Sequence, residues 1–188
     1  DPGAFTMPLS DVYGVVAIVI THEHADHWTT EQLTRLLTNN PGARILGPEG
    51  VALAATDHDI EVVHHGDRLE IEPFVLEFFG EKHAVIHETI PIVDNVGVLV
   101  DDEFYYGGDS YTVPDRTVGT LAAPVGAPWL KIGEAMDYVL AVAPRRALPV
   151  HEAPVSKIGR DMNNARLEWA VQQGGGEYVV LEPMDWLD

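Results

Sequence analysis

Seven residues constrain this chain more than any others. Thr21-His22-Glu23-His24-Ala25-Asp26-His27 packs three histidines and an aspartate together, directly after the apolar run Val12 to Ile20. Histidine and aspartate are each a few per cent of residues in ordinary chains. A chance His-x-His-x-Asp-His match in a chain this long is on the order of one in ten thousand. The Val/Ile-rich run before it is too short to cross a membrane and reads as a buried strand. A tight turn after such a strand can aim several side chains into one cavity. Imidazole and carboxylate together suit zinc, manganese or iron, with positions left open for a substrate.

Further ligand candidates follow the same rule of position. Asp109 comes after a predicted strand, Phe104 to Tyr106, and two glycines. His151 comes after the apolar Ala147 to Val150, and His83 after Phe74 to Phe79 through Gly80-Glu81-Lys82. Separate strands that deliver His, Asp and His to one sheet edge are how an α/β scaffold builds a site. The remaining histidines, His58, His64 and His65, match no such pattern and read as turn or surface residues.

Helices are expected where apolar spacing turns helical. Thr29 and Gln32 have the spacing of a capping box ahead of Leu33, Leu36 and Leu37, and Pro41-Gly42 stops that segment. Pro48 opens a second helix through about Ala55. Lys131 to Ala143 and Ser156 to Gln173 give two more, the last ended by Gly174-Gly175-Gly176. Strands are expected at Ala43 to Leu46, Ile60 to Val63, Arg68 to Ile71, Leu121 to Ala123 and Tyr178 to Leu181. Val96 to Val100 and Phe104 to Tyr106 form a hairpin over Asp101-Asp102-Glu103. The mixture predicts a layered α/β sandwich spanning 1–188 as a single domain.

Composition narrows the chemistry. With 11 Lys and Arg against 30 Asp and Glu, the formal net charge is −19. Nucleic-acid binding needs clustered positive charge, so no nucleic-acid partner is expected, and no anionic membrane surface either. The absence of cysteine excludes disulfides, thiolate zinc sites, iron–sulfur clusters and a cysteine nucleophile. No apolar run has the length of a membrane span and no basic leader opens the chain, so a cytoplasmic location is expected.

The His-x-His-x-Asp-His motif resembles the signature of the metallo-β-lactamase superfamily. The resemblance extends to Asp1-Pro2-Gly3 at the front, Gly80 to His83, Gly107-Gly108-Asp109-Ser110 and Leu148-Pro149-Val150-His151. It is most similar to the branch of general metal-dependent hydrolases that includes ascorbate-phosphate lactonase. That resemblance implies a four-layer αββα sandwich, here without the β-hairpin that normally precedes the Asp-Pro-Gly position. An edge uncovered in this way leaves room for a homo-oligomer.

The resemblance also implies a dinuclear centre holding two divalent metal ions, zinc first, with manganese or iron as alternatives. One would take His22, His24 and His83, and the second Asp26, His27 and His151, with Asp109 bridging. His83 is preferred to His87 because it lies closer to the predicted strand end. Asp26 is the candidate to orient a nucleophile or move a proton, and His87 the first to protonate a leaving group. Trp28 and Lys131 are weaker candidates for substrate contact. The expected function is hydrolysis of a small-molecule ester, lactone or phosphodiester by water activated between two cations. The alternatives are an RNA-processing nuclease of the same superfamily and a non-catalytic metal-stabilised binding module.

Overall fold

The computed structural model describes residues 1–182 and 185–187. Its contacts fall into two compact units. The first holds residues 1–83, 91–98 and 108–110. Its centre is a parallel sheet of β1 (Ala17–Val19), β2 (Arg44–Gly47) and β3 (Ile60–Val62), with Ile18 opposite Ile45 and Ile45 opposite Ile60. Parallel strands need crossovers, and α1 (Thr30–Asn39) and α2 (Glu49–Ala54) supply them. Ile18, Ile20, Leu33, Leu36, Ile45, Val51 and Ala55 form the core between helices and sheet. An antiparallel hairpin of β4 (Arg68–Ile71) and β5 (Phe74–Phe79) completes the regular structure before the first unit's later segments.

The first helix starts as the sequence predicts, with a difference. Thr29 Oγ1 accepts from the Gln32 backbone N–H at 3.2 Å. The Gln32 side chain does not return to cap Thr29. It is buried, and it donates to the carbonyls of Thr6 (2.9 Å) and Met7 (3.0 Å) and accepts from Leu9 N–H (3.1 Å). Half of the expected capping box therefore ties down the N-terminal segment instead.

The long first strand expected from Val12 to Ile20 contracts to Ala17–Val19. Gly14 takes a φ of 76°, which interrupts the extended run. The Asn40 side chain then stands in for a neighbouring strand. It donates to Val12 O at 2.9 Å and accepts from Val15 N–H at 2.9 Å. Two of this segment's backbone polar groups are thus satisfied without a ladder.

The second unit holds residues 84–90, 99–107 and the chain from Tyr111 onward. Strand β6 (Gly97–Val100) ends there and turns into β7 (Phe104–Tyr106). Asp101 and Asp102 both lie in the left-handed region, φ 53° and 55°, and Glu103 N–H closes the turn on Val100 O at 2.9 Å. This is the two-residue hairpin geometry that matches strand twist, and acidic side chains tolerate it better than most. Strands β7, β8 (Thr120–Pro124), β9 (Arg146–Val150) and β10 (Glu177–Tyr178) pair parallel in that order. Every residue of β8 is buried, as its unbroken Leu-Ala-Ala sequence requires. Helices α3 (Ile132–Val142) and α4 (Lys157–Gln173) pack against each other. Ser156 caps α4 by accepting from Gly159 N–H at 3.2 Å. The last strand is shorter than expected and begins one residue earlier, at Glu177.

Candidate metal centre

The histidine-rich loop leaves the carboxyl end of β1, the edge at which parallel sheets carry their ligands. Ile20 extends the pairing with β2 by one bond, its N–H to Leu46 O at 2.8 Å. From Thr21 the chain turns. His27 and Trp28 both donate backbone N–H groups to His24 O, at 3.0 and 3.3 Å. The Trp28 indole N–H donates to Glu23 O at 3.1 Å, so this ring staples the loop. The Glu23 carboxylate lies over Gly50.

The first four residues lace around the loop. Ala4 N–H bonds to Ala25 O at 2.9 Å, and Thr29 N–H to Pro2 O at 3.2 Å. Between them Gly3 passes so close that a Cβ there would stand 1.6 Å from Asp26 O. Only glycine permits that approach. Asp1 then plants its carboxylate beneath the loop. Oδ1 accepts from Thr21 N–H at 2.7 Å, and Oδ2 from Thr21 Oγ1–H at 2.7 Å and from His27 Nδ1 at 2.7 Å.

These bonds decide which ring nitrogens carry protons. His27 Nδ1–H donates to the Asp1 carboxylate, which turns its Nε2 lone pair toward the site. Thr21 spends its own proton on Asp1, so its oxygen accepts from His22 Nδ1 at 3.0 Å. His22 Nε2 therefore also presents a lone pair, and it faces His24 Nδ1 at 3.0 Å. Burial drives the His22 pKa down to about 2, with the neighbouring His27 the next largest cause. His24 is lowered too, by burial first and then by His83. Two neutral imidazoles that bring nitrogens this close form a donor set for a cation.

His83 reaches the same place by a different route. A short antiparallel ladder holds it, with His83 N–H on Val93 O and Asn95 N–H on Glu81 O, each at 3.1 Å. Asp109 enters from the middle of the sequence, and its backbone N–H is held by the buried Asn95 Oδ1 at 3.0 Å. Its two carboxylate oxygens part company. Oδ1 lies 3.3 Å from His27 Nε2, and Oδ2 lies 3.3 Å from His83 Nε2.

Within the first unit two groupings result, each with ligand atoms within 4.8 Å of one another: His22, His24 and His83, and His22, His27 and Asp109. Asp26 is half-buried, with Oδ2 3.8 Å from His27 Nε2. His151 belongs to the second unit, at the end of β9 with φ 61°. Its Nδ1–H donates to Gly126 O at 2.5 Å, which puts the lone pair on Nε2. His87 is exposed in the second unit, its Nδ1 engaged by Thr89 through Oγ1 at 2.8 Å and N–H at 3.2 Å. Lys131 precedes α3 and is exposed, its Nζ 3.5 Å from Glu134. His64 and His65 are exposed in the turn before β4.

Sequence reasoning missed Asn95 and the part played by Thr21. An Asn directly before the apolar Val96 to Val100 is the one mark the first leaves in the sequence, and it does not reveal the bond to Asp109. A hydroxyl immediately before the first histidine was that of the second.

Residues 1–151 match the protein family described as β-lactamase superfamily domain. The chain belongs to the β-lactamase superfamily. Protein Rv0786c of Mycobacterium tuberculosis is 40% identical over 172 residues, covering 89% of this chain and 81% of that protein. The UPF0173 metal-dependent hydrolase MJ1163 of Methanocaldococcus jannaschii is 27% identical over 165 residues, covering 80% of this chain and 73% of that protein. Among solved structures, YhfI of Bacillus subtilis, a metallo-β-lactamase fold protein, superposes with a TM-score of 0.63 at 14% identity. It is matched over 93% of this chain and 77% of its own. Igni18, a metallo hydrolase of Ignicoccus hospitalis, gives a TM-score of 0.64 at 16% identity, over 89% and 76%. The fold of this superfamily member is accordingly the metallo-β-lactamase fold.

Proposed function

We propose that this superfamily member, a metal-dependent hydrolase, works with two divalent cations on a small ester, lactone or phosphodiester. The observation that carries the reading is the division of the Asp109 carboxylate, one oxygen toward His27 and the other toward His83. A carboxylate so placed is suited to bridge two cations. His22, His24 and His83 would hold the first, and Asp26, His27 and His151 the second. The donors fit: neutral imidazoles and carboxylates without thiolate suit zinc, manganese and iron alike. For His151 the support is its motif and the tautomer set by Gly126. Divalent cations held there would supply Lewis acidity, lowering the pKa of water toward neutrality and stabilising charge on the departing oxygen.

The protein's own residues then have distinct tasks. Asp1 and Thr21 keep His27 and His22 in the ligating tautomer. Asp26, whose side chain is 28% exposed against 5% for Asp109, would orient the attacking water and receive its proton. His87, exposed and tied to Thr89, is left out of this assignment. A net charge of −19 favours small substrates over nucleic acid. Among the described residues no helix is long and apolar enough to cross a membrane.

The test is a hydrolysis screen over esters, lactones and phosphodiesters with metal-loaded protein. Activity should vanish with chelator and return with metal. Asp26→Asn should lower kcat by about 100-fold or more while KM changes little. A folded, metal-loaded protein inert toward all three classes, or an Asp26→Asn protein with unchanged kcat, would refute the reading.

A further inference from the structure

Helix α4 is apolar on two opposite faces. One buries Asn164, Leu167, Ala170 and Val171. The other carries Ile158, Met162, Ala165 and Trp169, and all four are exposed. Ile158 is 74% exposed, Met162 64% and Trp169 49%. A surface helix normally places charged side chains on that face. The steps between these residues are four, three and four, which is the seam spacing of a two-stranded coiled coil.

The charges beside the seam say what covers it. Asp161 flanks it on one side and Arg166 on the other, five residues apart. In a parallel pair of identical helices, a residue at the first flank meets the residue five positions on in its partner. Asp161 of one copy would then face Arg166 of the other, twice by symmetry. An antiparallel pair would instead bring Asp161 near Glu168 of the partner, two like charges. Asp161 already pairs with Lys157 at 2.6 Å along its own helix, and Arg166 has no ion pair among the described residues. We propose that α4 is a self-association surface, on which two copies of this chain pair in parallel through Ile158, Met162, Ala165 and Trp169. The seam is short, so the area buried is on the order of 1,000 Å² in total, near the lower limit for a specific interface. The dimer should therefore be weak and dependent on concentration.

Sedimentation velocity on the 188-residue chain over a wide concentration range tests this. A monomer–dimer equilibrium is expected, abolished by Met162→Lys. Asp161→Arg and Arg166→Asp should each weaken it about tenfold, by replacing attraction with repulsion at both symmetric contacts. The double variant Asp161→Arg/Arg166→Asp should restore it. Circular dichroism melting of each variant separates loss of pairing from loss of fold. A chain that stays monomeric throughout would overturn the proposal, as would a dimer indifferent to Met162→Lys. Two weakened single variants with no recovery in the folded double variant would overturn the parallel pairing.

Discussion

Asp1 lies behind His27, on its Nδ1 side, yet the geometry makes the centre depend on it. Consider Asp1→Asn, which preserves shape. One carboxylate oxygen becomes an amide nitrogen, and the charge that receives His27 Nδ1–H is lost. Three donors converge on the native group, from Thr21 N, Thr21 Oγ1 and His27 Nδ1, each at 2.7 Å. The Asp1 side chain is 9% exposed, so water does not readily replace it. Loss of one charge-assisted bond in such a place costs about 1.5–3 kcal/mol. Much of that falls on the orientation of His27. Changes to groups that orient metal-ligating histidines lower affinity about 10- to 100-fold. The assay is competitive titration of apo-protein with a chromophoric chelator, which resolves two binding constants. The second equivalent should weaken by that factor. The first should weaken less, because His24 and His83 make no bond to Asp1. Unchanged constants for both equivalents in a folded Asp1→Asn protein would refute the reasoning.

Gly3→Ala should be among the most damaging single-methyl additions to the chain. Its Cβ would meet Asp26 O at 1.6 Å, so the loop must move; a melting experiment should show a loss of about 2–4 kcal/mol together with weakened metal binding. The apo-protein should also lose stability on mild acidification. Burial lowers the His22 pKa to about 2 in the folded state against 6.5 when unfolded. Below pH 6.5 the unfolded chain therefore binds a proton that the folded chain refuses, and stability falls by about 1.4 kcal/mol per pH unit from this residue. Between pH 6.5 and 5 urea titrations in chelator should show a loss of about 2 kcal/mol from His22, with His24 adding in the same direction. A flat profile over that range would contradict the burial of a neutral His22.

Most residues proposed for the centre stand out in the sequence because their chemistry is local. Three histidines and Asp26 share one turn, and a turn after a strand has few ways to point. His83 and Asp109 were legible for a related reason, since each follows a strand that the apolar pattern marks. What could not be read was the support. Asp1 meets His27 across 26 residues, Asn95 meets Asp109 across 14, and Asn40 meets Val12 across 28. No periodicity announces a side chain that bonds to distant backbone. The same blindness overextended the first strand, because Val12 to Val16 is apolar enough for a ladder and Asn40 replaces the partner. Gln32 shows the reverse error: its spacing fits a capping box, but burial turned its amide toward Thr6 and Met7. On α4, helical propensity was visible, whereas the second apolar face acquired meaning only once the first was seen to be buried.

The proposed centre depends most on Asp109, whose two carboxylate oxygens would serve two cations. Elemental mass spectrometry of protein purified without added metal, then loaded and desalted, measures it directly. Wild type should hold close to two equivalents per chain. Asp109→Ala should lose at least one while keeping the wild-type circular dichroism spectrum. Two equivalents retained by Asp109→Ala, or fewer than two in wild type after loading, would contradict the account.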